Sequence, residues 1–139
     1  QLANAYATIA NGGVKNNISL ERINELAPGN RVLSEQTSQT LLLMLEQVVE
    51  RSAVRAQING YRVGGKTGTA QIAAANYSQD AHNAIFVGIA PISDPRIVVA
   101  VIVNEPQGME YYGGQVAAPI FASIASRTLR LLGVAPDKI

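Results

Sequence analysis

Between positions 60 and 72 the chain reads Gly-Tyr-Arg-Val-Gly-Gly-Lys-Thr-Gly-Thr-Ala-Gln-Ile, a concentration of glycine, lysine and threonine suited to handling anions. Two chemistries compete for these residues. Gly60 to Thr67 fits G-x-x-x-x-G-K-T, in which a glycine loop and the helix after it cradle phosphates. That arrangement needs a buried apolar strand directly before Gly60 and a helix beginning at Lys66. Residues 52–59 do not form such a strand pattern, and Thr67-Gly68-Thr69 opposes a helix start by combining a glycine with two β-branched residues. Val98 to Glu105 mimics the apolar strand ending in an acid that positions magnesium. Residues 86–103, however, read as a hairpin, whereas a nucleotide-binding sheet is parallel with helical crossovers. A P-loop nucleotide-binding domain is kept only as the alternative.

Read as a strand, the same residues serve a carboxylate. Thr67 and Thr69 lie two positions apart and project to one face, where two hydroxyls can receive one carboxylate. Lys66 adds positive charge. Gly65 and Gly68 remove bulk where another backbone must approach, so an extended peptide could pair along the strand edge. The Thr69 N–H is a suitable oxyanion donor. Strict alternation puts Lys66 on the face opposite the threonines, so either the lysine reaches around the strand or the strand twists.

The elements that must position this strand are legible in the hydrophobic periodicity. Leu2, Tyr6, Ile9 and Ala10 have helical spacing, and Asn11-Gly12-Gly13 supplies residues that tolerate left-handed backbone at a helix end. A chain opening inside a helix suggests a fragment of a longer one. Residues 14–25 carry a short alternation ahead of Pro28-Gly29, consistent with a small peripheral strand or hairpin. Ser34 can cap a helix over about 35–51, with Leu41, Met44, Leu45, Val48 and Val49 as its core-facing stripe. Residues 52–59 make a connector with room for one helical turn. Strands are predicted over 61–72, 84–90 and 96–104, the last two joined by a proline-bounded turn and therefore antiparallel. Ile97 to Val103 is apolar on both faces, which predicts a central strand covered by helices on each side. A final helix over 115–132 follows Gly114, tolerates Pro119 only near its first turn, and stops at Gly133.

Composition narrows the function classes. With 139 residues the chain fits one domain. Eleven basic and ten acidic residues, a net charge of +1 and no run of either sign give no footprint for nucleic acid. The longest aliphatic run falls far short of the roughly 20 residues that span a bilayer. The absence of cysteine rules out thiolate chemistry and a disulfide framework, and one histidine, His82, gives metal chemistry little support. No cofactor is expected.

Four ordered blocks, at 1–13, 60–70, 86–91 (Phe-Val-Gly-Ile-Ala-Pro) and 111–121 (Tyr-Tyr-Gly-Gly-Gln-Val-Ala-Ala-Pro-Ile-Phe), together resemble class B penicillin-binding proteins. The likeness is greatest to the division-specific peptidoglycan transpeptidases of Gram-negative bacteria. Serine β-lactamases share Lys-Thr-Gly, but the last block resembles the transpeptidases. The resemblance implies an α+β fold with helices packed on an antiparallel sheet of at least three strands, the C-terminal half of a penicillin-binding protein/serine β-lactamase-like domain. It also implies a reaction: a serine attacks the D-Ala-D-Ala carbonyl of a stem peptide, releases D-alanine and passes the acyl group to an amine, and β-lactams acylate the same serine.

The family pattern also requires Ser-x-x-Lys and Ser-x-Asn, and neither occurs here. None of Lys15, Lys66 and Lys138 has serine three positions earlier, and no serine is followed two positions later by asparagine. Residues 1–139 are therefore expected to be the C-terminal portion of one transpeptidase domain, inactive alone and partnered by the upstream half of the same protein. A non-catalytic structural fragment is the rival reading. By resemblance, Lys66 would stabilise negative charge and Thr69 would share the oxyanion hole. Thr67, Gly68 and Thr69 would bind the substrate or β-lactam carboxylate, Tyr111 and Tyr112 would line the acyl pocket, and His82 and Tyr77 would border it. The strand over 96–104 would present an apolar edge that upstream strands cover. The parent protein is expected to be anchored at the periplasmic face of the inner membrane, among division proteins.

Overall fold

The computed structural model describes residues 1–19, 21–22, 27–72, 81–107 and 110–138. Helix α1 (Leu2–Ala10) opens the chain, and Gly12 and Gly13, at φ +62° and +87°, turn it outward as the Asn-Gly-Gly sequence predicts. Strand β1 (Val14–Lys15) follows, but its antiparallel partner β2 (Asn30–Arg31) lies beyond Pro28-Gly29, not within 14–25. Leu20 and residues 23–25 of the expected alternation lie outside the described residues.

Helix α2 (Glu35–Arg51) begins where the sequence places it, because the Ser34 hydroxyl accepts the Thr37 N–H at 3.0 Å. Its buried line differs from the expected stripe. Ser38, Leu42 and Val49 are buried, whereas Met44 is 58% exposed. The helix is turned so that Leu45 and the Glu46 backbone lie against Gly64, where an added Cβ would come within 3.1–3.2 Å of both. Periodicity identifies a helix but leaves its rotation to the surface it meets. A 3₁₀ turn at Val54–Ala56 then realises the single turn expected in the connector.

Strands β3 (Gly64–Gln71), β4 (His82–Ala90) and β5 (Ile97–Asn104) form an antiparallel sheet in the order β3-β4-β5. Thr67 faces Phe86 across one ladder, and Phe86 faces Val101 across the next. The expectation of a central position for Ile97 to Val103 is corrected here: β4 is central, and β5 is an edge among the described residues. The apolar character of β5 reflects cover from both sides. Val99, Val101 and Val103 join the core under the last helix, while Val98 packs with Tyr6 and Ile9 of α1. Ile102, beyond the reach of α1, is 60% exposed.

Helix α3 (Gly113–Leu131) closes the core by burying Phe121 against Phe86, ring centroids 5.0 Å apart. Gly88 makes that approach possible, since a Cβ there would stand 2.5 Å from the Phe121 ring. The helix starts two residues earlier than the sequence suggests, which places Pro119 in its second turn rather than its first. Proline leaves the carbonyl four residues back without its helical donor. That carbonyl belongs to Gln115, and it accepts instead from Arg55 Nη1 at 3.2 Å.

The tail after α3 folds back on the start of β3. Tyr61 donates its hydroxyl to the Val134 carbonyl at 2.6 Å. The Asp137 carboxylate accepts from the Arg62 N–H at 2.7 Å and from the Ser93 hydroxyl at 2.6 Å, tying the tail to both the segment that enters β3 and the β4–β5 turn. Arg62 in turn grips Glu46 of α2 through Nε and Nη2 at 2.7 and 2.6 Å. Hydrogen bonding to Glu46 raises the arginine pKa further above its usual value, so the guanidinium stays charged across the physiological range.

Asp137→Ala removes the acceptor that joins three segments and leaves the half-buried Arg62 N–H without its partner. The expected loss is about 1–3 kcal/mol of unfolding free energy. Denaturant melts of the domain carrying the substitution measure it, and an unchanged midpoint would show that the tail does not brace the sheet.

Candidate active site

The Lys-Thr-Gly-Thr stretch lies in β3, as the strand reading requires, and no helix begins at Lys66. Since β3 pairs only with β4 among the described residues, its other edge is open. Alternation sends Thr67 and Thr69 toward the N-terminus of α3. The Gly113 N–H donates to Thr69 Oγ1 at 3.4 Å, and Thr67 Cγ2 lies 3.3 Å from where a Gly114 Cβ would be. Lys66 starts on the opposite face but curls around: its Nζ stands 3.1 Å from the Thr67 carbonyl and 3.4 Å from Thr67 Oγ1. The alternative left open by the sequence is thus settled by an exposed lysine reaching past the strand's open edge.

An open cleft of about 410 Å³ lies beside the two threonines. Ser52, Val54 and Arg55 form one wall, Thr67 and Thr69 another, and Tyr112, Gly113, Gly114 and Gln115 a third. The α3 wall begins with Tyr112, whose side chain does not cap the helix. The positive end of the helix dipole therefore adds to Lys66 and Arg55 in favouring an anion between the hydroxyls. Two other grooves, of about 450 and 550 Å³, flank α1, but neither brings a pair of hydroxyls to a helix N-terminus.

The aromatic candidates form a ladder. His82 stacks on Tyr111 with centroids 4.7 Å apart, and Tyr111 meets Tyr112 at 4.4 Å, the Tyr111 hydroxyl donating to that of Tyr112 at 3.0 Å. This hydrogen bond raises the Tyr111 pKa above the usual tyrosine value, so the phenol is neutral at physiological pH. Tyr112 lines the cleft, while Tyr111 and His82 stand behind it. Tyr77 lies outside the described residues. Gly68 contributes backbone, its carbonyl 2.6 Å from the position of a Gly113 Cβ. No group of three His, Cys, Asp or Glu side chains suited to a metal ion occurs among the described residues.

Sequence reasoning missed Arg55 and the part played by Gly113. Arg55 bonds partners 55 and 60 positions away, Glu110 and Gln115, and no local pattern announces contacts of that range. The paired glycines just before a predicted helix were the available signal for Gly113.

Residues 1–126 match the family model described as penicillin binding protein transpeptidase domain. Over its whole length the chain is 39% identical to a probable peptidoglycan D,D-transpeptidase PbpC of Pseudomonas aeruginosa. It is 37% identical, again over its whole length, to the peptidoglycan D,D-transpeptidase FtsI of Escherichia coli. It covers 25% and 24% of those two proteins, so the chain spans about a quarter of the curated relatives it matches. Its structure superimposes on the apo TP domain of Burkholderia pseudomallei penicillin-binding protein 3 with a TM-score of 0.89 at 41% identity, covering 99% of this chain and 43% of that one.

A Cβ on Gly113 would overlap the Ile85 carbonyl oxygen, whereas one on Gly114 would press only on the Thr67 methyl at 3.3 Å. Gly113→Ala is accordingly expected to destabilise the domain by about 1–3 kcal/mol, with Gly114→Ala clearly milder. Thermal melts of the two variants test the order, and equal melting temperatures would show that α3 is not seated on the sheet backbone.

Proposed function

This chain belongs to the penicillin-binding protein transpeptidase family, and from that premise we propose that it supplies the substrate-carboxylate site of a serine-type peptidoglycan D,D-transpeptidase. The observation that carries the reading is the convergence of Thr67 and Thr69 on the N-terminus of α3, with Lys66 Nζ at the Thr67 hydroxyl, beside an open cleft. Two hydroxyls, an ammonium and a helix N-terminus suit a terminal carboxylate.

In this reading the D-Ala-D-Ala end of a stem peptide extends along the open edge of β3, its carboxylate held by Thr67 and Thr69. Gly68 keeps that edge free of bulk. The Thr69 N–H and the nucleophile's own N-H stabilise the oxyanion, an interaction worth about 2.7–4 kcal/mol per donor in comparable chemistry. Lys66 opposes negative charge at the reacting centre. The ladder of Tyr112, Tyr111 and His82 borders the acyl pocket. A β-lactam occupies the site by presenting its carboxylate to the same hydroxyls.

The nucleophile and its base come from a segment upstream of residue 1, for which this chain has no counterpart: no serine here has a lysine three positions on. Residues 1–139 are then the C-terminal part of one catalytic domain, and the open edge of β5 is where upstream strands add. The parent enzyme cross-links septal peptidoglycan at the periplasmic face of the inner membrane, alongside division proteins.

Fluorescent penicillin is expected to leave residues 1–139 unlabelled and to label the full-length enzyme on an upstream serine. A stable adduct on any serine between Ser19 and Ser126 would refute the assignment. In the full-length enzyme, Thr69→Val removes one charge-assisted hydrogen bond while keeping the β-branched shape. Acylation is expected to slow about ten- to a hundredfold, equivalent to about 1.5–3 kcal/mol. Lys66→Ala is expected to slow it more, because charge in a partly desolvated cleft acts more strongly than in water. Second-order acylation rates with a melting control decide. Wild-type acylation by Lys66→Ala would make this lysine an ordinary strand residue.

A further inference from the structure

Arg55 is the basic side chain among the residues that line the cleft, and its environment is unusual for a half-exposed arginine. Both of its protein hydrogen bonds use one nitrogen. Nη1 donates to Glu110 Oε2 and to the Gln115 carbonyl, each at 3.2 Å. The second acceptor exists because Pro119 cannot donate to it, so the proline in α3 creates a fixed anchor for the guanidinium. Among the described residues, Nε and Nη2 have no protein partner. This Nε–Nη2 edge is the one with which Arg62 grips the Glu46 carboxylate elsewhere in the same molecule, at 2.7 and 2.6 Å. A guanidinium tethered at one nitrogen and open along its two-donor edge is arranged to read a carboxylate bidentately, with less ordering entropy to lose than a free arginine.

We infer that Arg55 is a specificity-determining residue that reads a second carboxylate on the ligand, in addition to the one held by Thr67 and Thr69. The inference rests on the reading of the cleft as the acylation site. Glu110 opposes the effect: its charge partly neutralises Arg55 and repels an incoming anion. The rival role is a staple, in which Arg55 only ties together residues 110 and 115 and so holds the Tyr112 to Gly114 segment in place. The two roles differ in sign at Glu110. A staple is weakened by loss of either partner, whereas a carboxylate reader is weakened by loss of Arg55 and strengthened by loss of the acid.

The test uses the full-length enzyme and two penicillins that differ by one carboxylate, benzylpenicillin and its α-carboxy derivative carbenicillin. The readout is the ratio of their second-order acylation rates, carbenicillin over benzylpenicillin, so that general damage to the site cancels. Arg55→Gln is expected to lower the ratio about tenfold, the scale of one charge-assisted hydrogen bond. Arg55→Lys should lower it less, because a point charge remains without the fork. Glu110→Gln, whose amide oxygen can still accept from Nη1, should raise the ratio. An unchanged ratio in Arg55→Gln, or a ratio that does not rise in Glu110→Gln, would overturn the inference in favour of the staple. Failure of the wild type to be acylated by benzylpenicillin would sink the reading of the cleft itself and the inference with it.

Discussion

The structure depends on how closely α3 can approach the sheet. At the N-terminus of the helix, the Gly113 backbone sits against the carbonyls of Ile85 and Gly68, so any side chain there would overlap main-chain atoms that cannot move aside. Further along, Phe121 reaches the sheet only over Gly88. These contacts set the height of the helix above β3 and β4. They thereby bring the Gly113 N–H to the Thr69 hydroxyl, and interiors packed this densely leave little freedom to place it otherwise.

A second constraint follows from the position of β3 at an open edge. A strand flanked on both sides would leave Lys66 pointing away from Thr67 and Thr69. The open edge lets the long, exposed side chain curl to the Thr67 hydroxyl, so an ammonium and two hydroxyls converge although alternation separates the first from the other two. The same edge offers unpaired backbone to an extended peptide. Bracing at the far end of the strand comes from Arg62 with Glu46 and from Asp137, contacts that link β3 to α2 and to the C-terminal tail. The part of β3 that lines the cleft is thus left open, while the start of the strand is tied down.

Pro119 shows how a local defect becomes part of a site. It removes one helical hydrogen bond, and the freed Gln115 carbonyl recruits Arg55 from the 3₁₀ turn. The arginine then bridges to Glu110, so the segment carrying Tyr112, Gly113 and Gly114 is held at both ends. A helix without the proline would have no spare carbonyl at that position and no reason to fix an arginine in the cleft wall.

The sequence by itself determined the elements and which side chains share a strand face. Ser34 announced α2, the Asn-Gly-Gly end of α1 was readable from left-handed backbone preference, and Thr67 and Thr69 shared a face because strand period is two. Four short blocks were enough to suggest the family. What periodicity could not supply was anything decided between elements. It gave β5 a central place because both faces are apolar, whereas strand order depends on which neighbours complete the ladder. It put Met44 in the core, although the rotation of α2 is set by the surface at Gly64. It passed over Arg55, whose role exists only because residues 55, 110 and 115 meet in space. Local patterns record the preferences of each segment, but the cleft is a property of distances between segments, and those were fixed only when glycine contacts and tail anchors brought α2, β3 and α3 to their closest approach.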